Sequence, residues 1–264
     1  MYRVITVPLD RSDTCERALP VAAALARGLD VPLEFVHVVY EGVPKDPRRG
    51  HLEKRRAALG LPDGPSTVIN YGVPAEALAE LAADRDRLLC FTTHAKPLTE
   101  LVLGSVASSL IRHAPSPVLV VGPNAGVDDV RFESLVACVD GTPLSEQIVQ
   151  PAVQLARALA MKCWLLEVLD PDGLPTPDVL DTAYVHRLAD QRRAQEGDEL
   201  DWEVVHGAAA PSIVRFAQDL PASIIAMSTH ARGPVGRVVL GSVAESVVHR
   251  ASCPVLLQTP REGT

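Results

Sequence analysis

The feature that most constrains this chain is a long stretch that occurs twice. One copy runs Ile224-Ile225-Ala226-Met227-Ser228-Thr229-His230-Ala231-Arg232-Gly233-Pro234, reaches Leu240-Gly241-Ser242-Val243-Ala244, and closes on Cys253-Pro254-Val255-Leu256-Leu257. The other runs Leu88-Leu89-Cys90-Phe91-Thr92-Thr93-His94-Ala95-Lys96-Pro97, reaches Leu103-Gly104-Ser105-Val106-Ala107, and closes on Ser116-Pro117-Val118-Leu119-Val120-Val121. Each copy reads as a strand, a Thr-His-Ala loop, a helix start at Gly-Ser-Val-Ala, and a final apolar strand. Self-similarity at this length means two copies of one domain. A chain of 264 residues accommodates both with a core in each.

The patterns between the copies set the fold class. Residues 3–9 form a short apolar strand stopping at Asp10, and Arg11-Ser12-Asp13-Thr14 is a capping cluster. Ala18, Leu19, Ala22, Leu25 and Ala26 recur at helical spacing, predicting a helix over 15–28. Leu33 to Val39 reads as a buried strand, and 41–65 as a charged surface loop with at most a short helix near 51–59. Strands are predicted at 66–70, 88–92 and 118–121, with helices from Pro74 and from Ser105 to about His113. After the Pro- and Gly-bearing linker 122–129 the order repeats. It has strands at 135–139, 162–169, 201–205 and 223–227 and helices at 147–160, 184–200 and 211–219. Alternating strands and helices imply α/β units with parallel sheets wound on both faces. The expected domains are 1–123 and 130–260. The closing strands 117–121 and 254–257 would be exposed edges alone, so they are expected to meet across a pseudo-two-fold axis.

Composition narrows the function. A net charge of −8 and 4% aromatic residues argue against nucleic-acid partners. Five cysteines without Cys-x-x-Cys spacing suggest neither a disulfide framework nor a zinc cluster, and Cys90 and Cys138 read as core residues. An early charge at the N-terminus and the lack of an apolar run of ~18 residues point to a cytoplasmic chain without a membrane partner.

In open parallel sheets, ligands bind beyond the carboxyl ends of the strands where the winding reverses. There each unit brings its first-strand Asp, the end of its second strand and the loop after its fourth. Small loop residues admit close backbone approach to an anion, and the Gly-Ser helix start adds N–H donors, a hydroxyl and the positive dipole end. The same Gly-Ser also serves as an ordinary helix cap, and the residues alone do not decide between the two. His94 and His230 recur in the loop without ligand partners at metal spacing, so no metal site is expected. Arg112-His113 and His249-Arg250 suit helix C-termini.

A strand-one Asp, a loop of small residue, two residues, small residue, nine residues and Gly-Ser, and a closing Pro-Val-Leu strand together resemble the universal stress protein family across essentially the whole chain. The resemblance implies tandem doubly wound five-stranded parallel-sheet domains, Rossmann-like and similar to the adenine nucleotide alpha hydrolases, joined as an internal pseudo-dimer. A further homodimer is left open. It also implies a non-enzymatic stress-response module binding ATP or a related adenine nucleotide, with or without Mg. The alternatives are an interaction module without nucleotide and, third, a slow nucleotide hydrolase.

By the same resemblance, the site in the second domain takes Asp140 toward ribose and the Val168 backbone toward adenine. Ser228, His230, Ala231, Arg232, Gly241, Ser242 and Val243 surround the phosphates. The first domain's set is Asp10, Val38, Thr92, His94, Gly104, Ser105 and Val106. Family members that bind nucleotide carry Gly at both small positions, whereas this chain has Ser228 and Ala231. A left-handed backbone at Ala231 would cost about 1–2 kcal/mol. In the first unit the nine-residue spacing before Gly104 lands on His94, and Lys96-Pro97 stiffens a shorter loop, so the first site is expected to be weaker or empty.

Overall fold

The computed structural model describes residues 2–10, 12–39, 46–58, 60–61, 64–70, 73–93, 104–169, 183–229, 231–232 and 238–260. In the first half, β1 (Val4–Pro8), β2 (Leu33–Val39), β3 (Ser66–Asn70), β4 (Arg87–Thr92) and β5 (Val118–Val121) alternate with helices. These are α1 (Asp13–Glu16), α2 (Ala18–Leu29), α3 (Asp46–Ala58), α4 (Pro74–Leu81) and α5 (Ser105–His113). The second half repeats them with β6 (Ser134–Val139), β7 (Lys162–Leu169), β8 (Asp201–His206), β9 (Ser223–Ser228) and β12 (Val255–Gln258). Its helices are α6 (Pro143–Glu146), α7 (Val149–Ala158), α8 (Ala183–Glu196), α9 (Ala209–Asp219) and α10 (Ser242–Arg250), and a short hairpin pairs β10 (Ala231–Arg232) with β11 (Val238–Val239).

All the strands but the hairpin's join one ten-stranded sheet, ordered β3-β2-β1-β4-β5-β12-β9-β6-β7-β8. Pairing within each half is parallel. The halves meet antiparallel through β5 and β12, with Leu119 opposite Leu256. This is the pairing expected for the closing strands. Each covers the other's open edge, and Leu119, Val120, Val255 and Leu256 have no exposed surface.

Alternating strand residues feed two cores, one on each face. Ile5, Val7 and Phe35 join Leu25 of α2, Leu52 of α3 and Leu155 of α7 on one face. Leu89, Phe91 and Val120 join Leu110 of α5, Ile213 of α9 and Val247 of α10 on the other.

Three sequence expectations change. The helix expected over 15–28 is broken at Arg17, because Pro20 has no N–H for the Glu16 carbonyl and its ring crowds that oxygen. Pro151 stands likewise to Gln147, and α7 starts only at Val149. The region expected as a surface loop contains the 13-residue α3. Its apolar stripe shrinks to Leu52, and much of its buried contact comes from Arg56, whose guanidinium lies 4.1 Å from the Phe35 ring centre and donates to the carbonyls of Leu33 and Pro65. A hydrophobic pattern cannot announce a helix anchored by an arginine. Finally, Ala231 lies extended in β10, opposite Val239, and is not among the residues with positive φ. The strain weighed for it does not arise.

Among the described residues, no helix is long and apolar enough to cross a membrane. All five cysteines are buried and unbridged.

Candidate functional site

In the second half the strand order turns back between β6 and β9, and a cavity of about 260 Å³ opens there. Asp140, Val168, Ser228, Gly241, Ser242 and Val243 all line it. In the first half the corresponding cavity, about 330 Å³, lies between β1 and β4 and is lined by Asp10, Val38, Thr92, Gly104, Ser105 and Val106. The structure therefore brings each described candidate set together around one space. His94 and His230 lie outside the described residues, and for Ala231 and Arg232 only the backbone is described.

Local chemistry places each group. Asp140 directly follows β6, and its Oδ1 accepts from the Thr142 amide at 3.1 Å and from the Thr142 hydroxyl at 2.6 Å. Thr142 in turn caps α6 by accepting from the Ser145 amide at 3.2 Å. Asp10 and Ser12 repeat this turn, with bonds of 2.9 and 2.6 Å. The aspartates are thus turn formers and, being exposed, also line the cavity mouths. Val38 and Val168 are half-buried at the ends of β2 and β7. Ser228 and Thr92 are buried and hydrogen bond back to the carbonyls of Ser145 and Thr14, so they set the cavity walls.

The helix starts bear on the choice between capping and binding. Gly104 and Gly241 hold the N-cap positions, and neither helix has a side-chain cap. Ser105 and Ser242 occupy the first helical turn with exposed side chains beside backbone N–H groups that have no partner within the helix. A hydroxyl, free helix amides and the dipole's positive end make a donor set suited to a phosphate. Gly241 has φ −61° and ψ 146°, a backbone open to any residue, so its value to an anion is the missing Cβ rather than an unusual torsion. The loop amides contribute less than the sequence suggested. Of the opposed pairs Ala231–Val239 and Arg232–Val238, one exchanges both backbone hydrogen bonds and is committed to the hairpin.

Sequence reasoning missed the apolar walls. Leu166, Ile213 and Met227 line the second cavity, and Val36, Leu78 and Phe91 the first. The available signal was that α4 and α9 begin directly after β3 and β8, at the sheet edge where the other groups gather. Cys15 and Ser145 hold equivalent positions at the two cavities. Burial pushes the Cys15 thiol up to about 11, with the Asp10 charge adding to the rise, so it is no ready nucleophile. Among the described residues no cluster of His, Cys, Asp or Glu is arranged to hold a metal. His113 and His249 bond through Nδ1 to the carbonyls of Ser109 and Glu245 in the last turns of their helices.

The sequence profile of the Universal stress protein family matches residues 1–122 and again 131–258. The chain belongs to the universal stress protein family. Universal stress protein Rv2623 of Mycobacterium tuberculosis is 26% identical over 286 residues, covering 96% of this chain and 95% of that protein. Universal stress protein Rv2005c from the same species is 26% identical over 197 residues, covering 71% of this chain and 66% of its own length, so the match spans about two thirds of that relative. A universal stress protein structure from Archaeoglobus fulgidus DSM 4304 superposes with a TM-score of 0.70 at 17% identity, covering 98% of this chain and 99% of that one. That likeness supports the shared fold.

Proposed function

We propose that this universal stress protein is a non-enzymatic, nucleotide-responsive cytoplasmic module that holds ATP or a related adenine nucleotide, with or without Mg, in the cavity of its second unit. The observation that carries the reading is the convergence on one space of Asp140, the end of β7, and the Gly241-Ser242 start of α10. Apolar Leu166, Ile213 and Met227 suit a base, Asp140 a ribose hydroxyl, and the α10 amides with Ser242 a phosphate.

Loop charge favours the second unit over the first. Residues 229–240 carry Arg232 and Arg237 and no carboxylate, whereas 93–103 carry Lys96 against Glu100. One feature favours the other reading, an interaction module with both cavities empty: the β10–β11 hairpin ties up amides an anion would use.

Mass spectrometry of ligand released from purified, denatured protein separates the two. Adenine nucleotide at about one per chain is expected. Its absence, together with no heat on titrating ATP, would establish the interaction module instead, and turnover of added ATP well above background would make the protein a hydrolase.

A further inference from the structure

The linker that leaves β5 closes on the far end of α10, the helix whose start lines the second cavity. Carbonyls in the last turn of a helix have no amide within it to receive, so their partners come from outside. The linker meets this end at three residues. A Cβ on Gly122 would lie 2.0 Å from the Val248 carbonyl oxygen, so the backbone passes where only glycine fits. The Asn124 side-chain amide donates to the His249 carbonyl at 2.6 Å. Gly126 N–H donates to the carbonyl of Ser252, just beyond the helix, at 2.9 Å.

The linker is in turn fastened to the first half. Arg17 Nη2 donates to the carbonyls of Pro123 and Ala125, both at 3.0 Å, and Ala125 is buried. Ala125 N–H closes a turn onto the Gly122 carbonyl at 3.2 Å. Arg17 stands at the corner between α1 and α2, so the end of α10 is referenced to the first half of the chain.

Packing and end contacts restrain α10 in different ways. Ala244, Val247 and Val248 are buried and set which face looks inward. Apolar burial is non-directional, so it opposes sliding along the helix axis less than contacts at an end do. Nine residues make a rod about 13 Å long, and a shift at Val248 is passed along it to Gly241 and Ser242. Hydrogen bonds to a phosphate tolerate displacements of only about half an ångström before they weaken, so the axial position of α10 governs what its first turn can hold.

We propose that Asn124 is a positioning residue for the second cavity, acting with Gly122 and Arg17. Together they fix α10 along its axis and so place its first-turn donors, which means that the first half of the chain completes the second half's site. The ligand in this inference rests on the nucleotide reading above, whereas the placement of α10 does not.

Asn124→Asp in the full chain tests it. The side chain is exposed, so the change opens no cavity, and it turns a donor into a carboxylate facing a helix carbonyl. Calorimetry is expected to show ATP weakened about three- to tenfold and adenosine unchanged, because adenosine has no phosphate for α10 to meet. Arg17→Met should weaken ATP in the same sense, with Arg17→Lys between it and the parent. Thr67→Val removes a 2.7 Å hydrogen bond to Glu34 elsewhere in the first half, and it should lower stability while leaving both affinities as they are. Equal losses for ATP and adenosine in Asn124→Asp, or an unchanged ATP affinity, would overturn the proposal. If the parent takes up no nucleotide, the nucleotide reading fails by itself and hydrogen exchange decides on the positioning. The amides of Glu245 to Val248 should then exchange faster in Asn124→Asp while those of Ser108 to Ile111 in α5 keep their rates, and unchanged rates in α10 would overturn it.

Discussion

The two cavities are built from one plan and differ in ways that pull against each other. The first is roomier, at about 330 Å³ against 260 Å³, and its helix α5 has no carboxylate in its first turn. The second is smaller, and α10 carries Glu245 in its first turn, where a negative charge already complements the dipole. Yet the second has the longer loop with two arginines against a lysine and a glutamate. The comparison teaches that room and charge are separable in this fold. On the function proposed above, charge is expected to decide for a polyanionic ligand, because the second loop's sequence carries Arg232 and Arg237 against the one carboxylate of Glu245 on a half-exposed helix turn.

The sharpest way to break this comparison is to close each phosphate approach in turn. Gly241→Val keeps an allowed backbone at φ −61°, so the protein should fold, but the added side chain fills the approach to α10. Affinity for ATP is expected to fall more than about a hundredfold, roughly 2.7 kcal/mol or more. Gly104→Val should leave the tight site unchanged, as a fluorescent ATP analogue titrated into both variants will show.

Removing one donor is milder. Ser242→Ala loses a hydrogen bond to a charged group, about 1.5–3 kcal/mol, or roughly ten- to a hundredfold in affinity, while Ser105→Ala should not alter the tight site. The same titration reads both. Asp140→Asn keeps size and the acceptor used by Thr142, so a loss below about tenfold is expected, and a larger one would mean Asp140 does more than meet a ribose hydroxyl.

The smallest change sharpens the comparison instead of breaking it. Glu245→Ser copies the first unit's Ser108 into α10 and removes a competing charge of about 0.3–1 kcal/mol, so ATP should bind a few-fold more tightly. The gain should shrink as salt is raised. Tightening that is insensitive to salt would point to a steric cause.

Much of this was legible in the chain itself. The apolar runs ending at Val121 and Leu257 announced edges that needed covering, and they cover each other. Asp140, Val168, Ser228 and Gly241 could be placed together because the strand order fixes where carboxyl ends gather. What stayed hidden depended on contacts distant in sequence. Arg56 buries its guanidinium against Phe35, which no amphipathic pattern records. Ala231 settles into a hairpin because Val239 supplies a partner eight positions on, a pairing that the local glycines and proline disguised. The apolar cavity walls come from strand residues Val36, Phe91, Leu166 and Met227 together with Leu78 of α4 and Ile213 of α9, all of which read only as core.

The central claim is that one nucleotide site dominates and lies in the second unit. Isothermal titration of ATP into nucleotide-free protein, repeated with Gly241→Val and Gly104→Val, tests it most directly. The account predicts one tight site per chain, abolished by Gly241→Val and retained by Gly104→Val. Two equal sites, or a tight site that survives Gly241→Val and disappears with Gly104→Val, would contradict it.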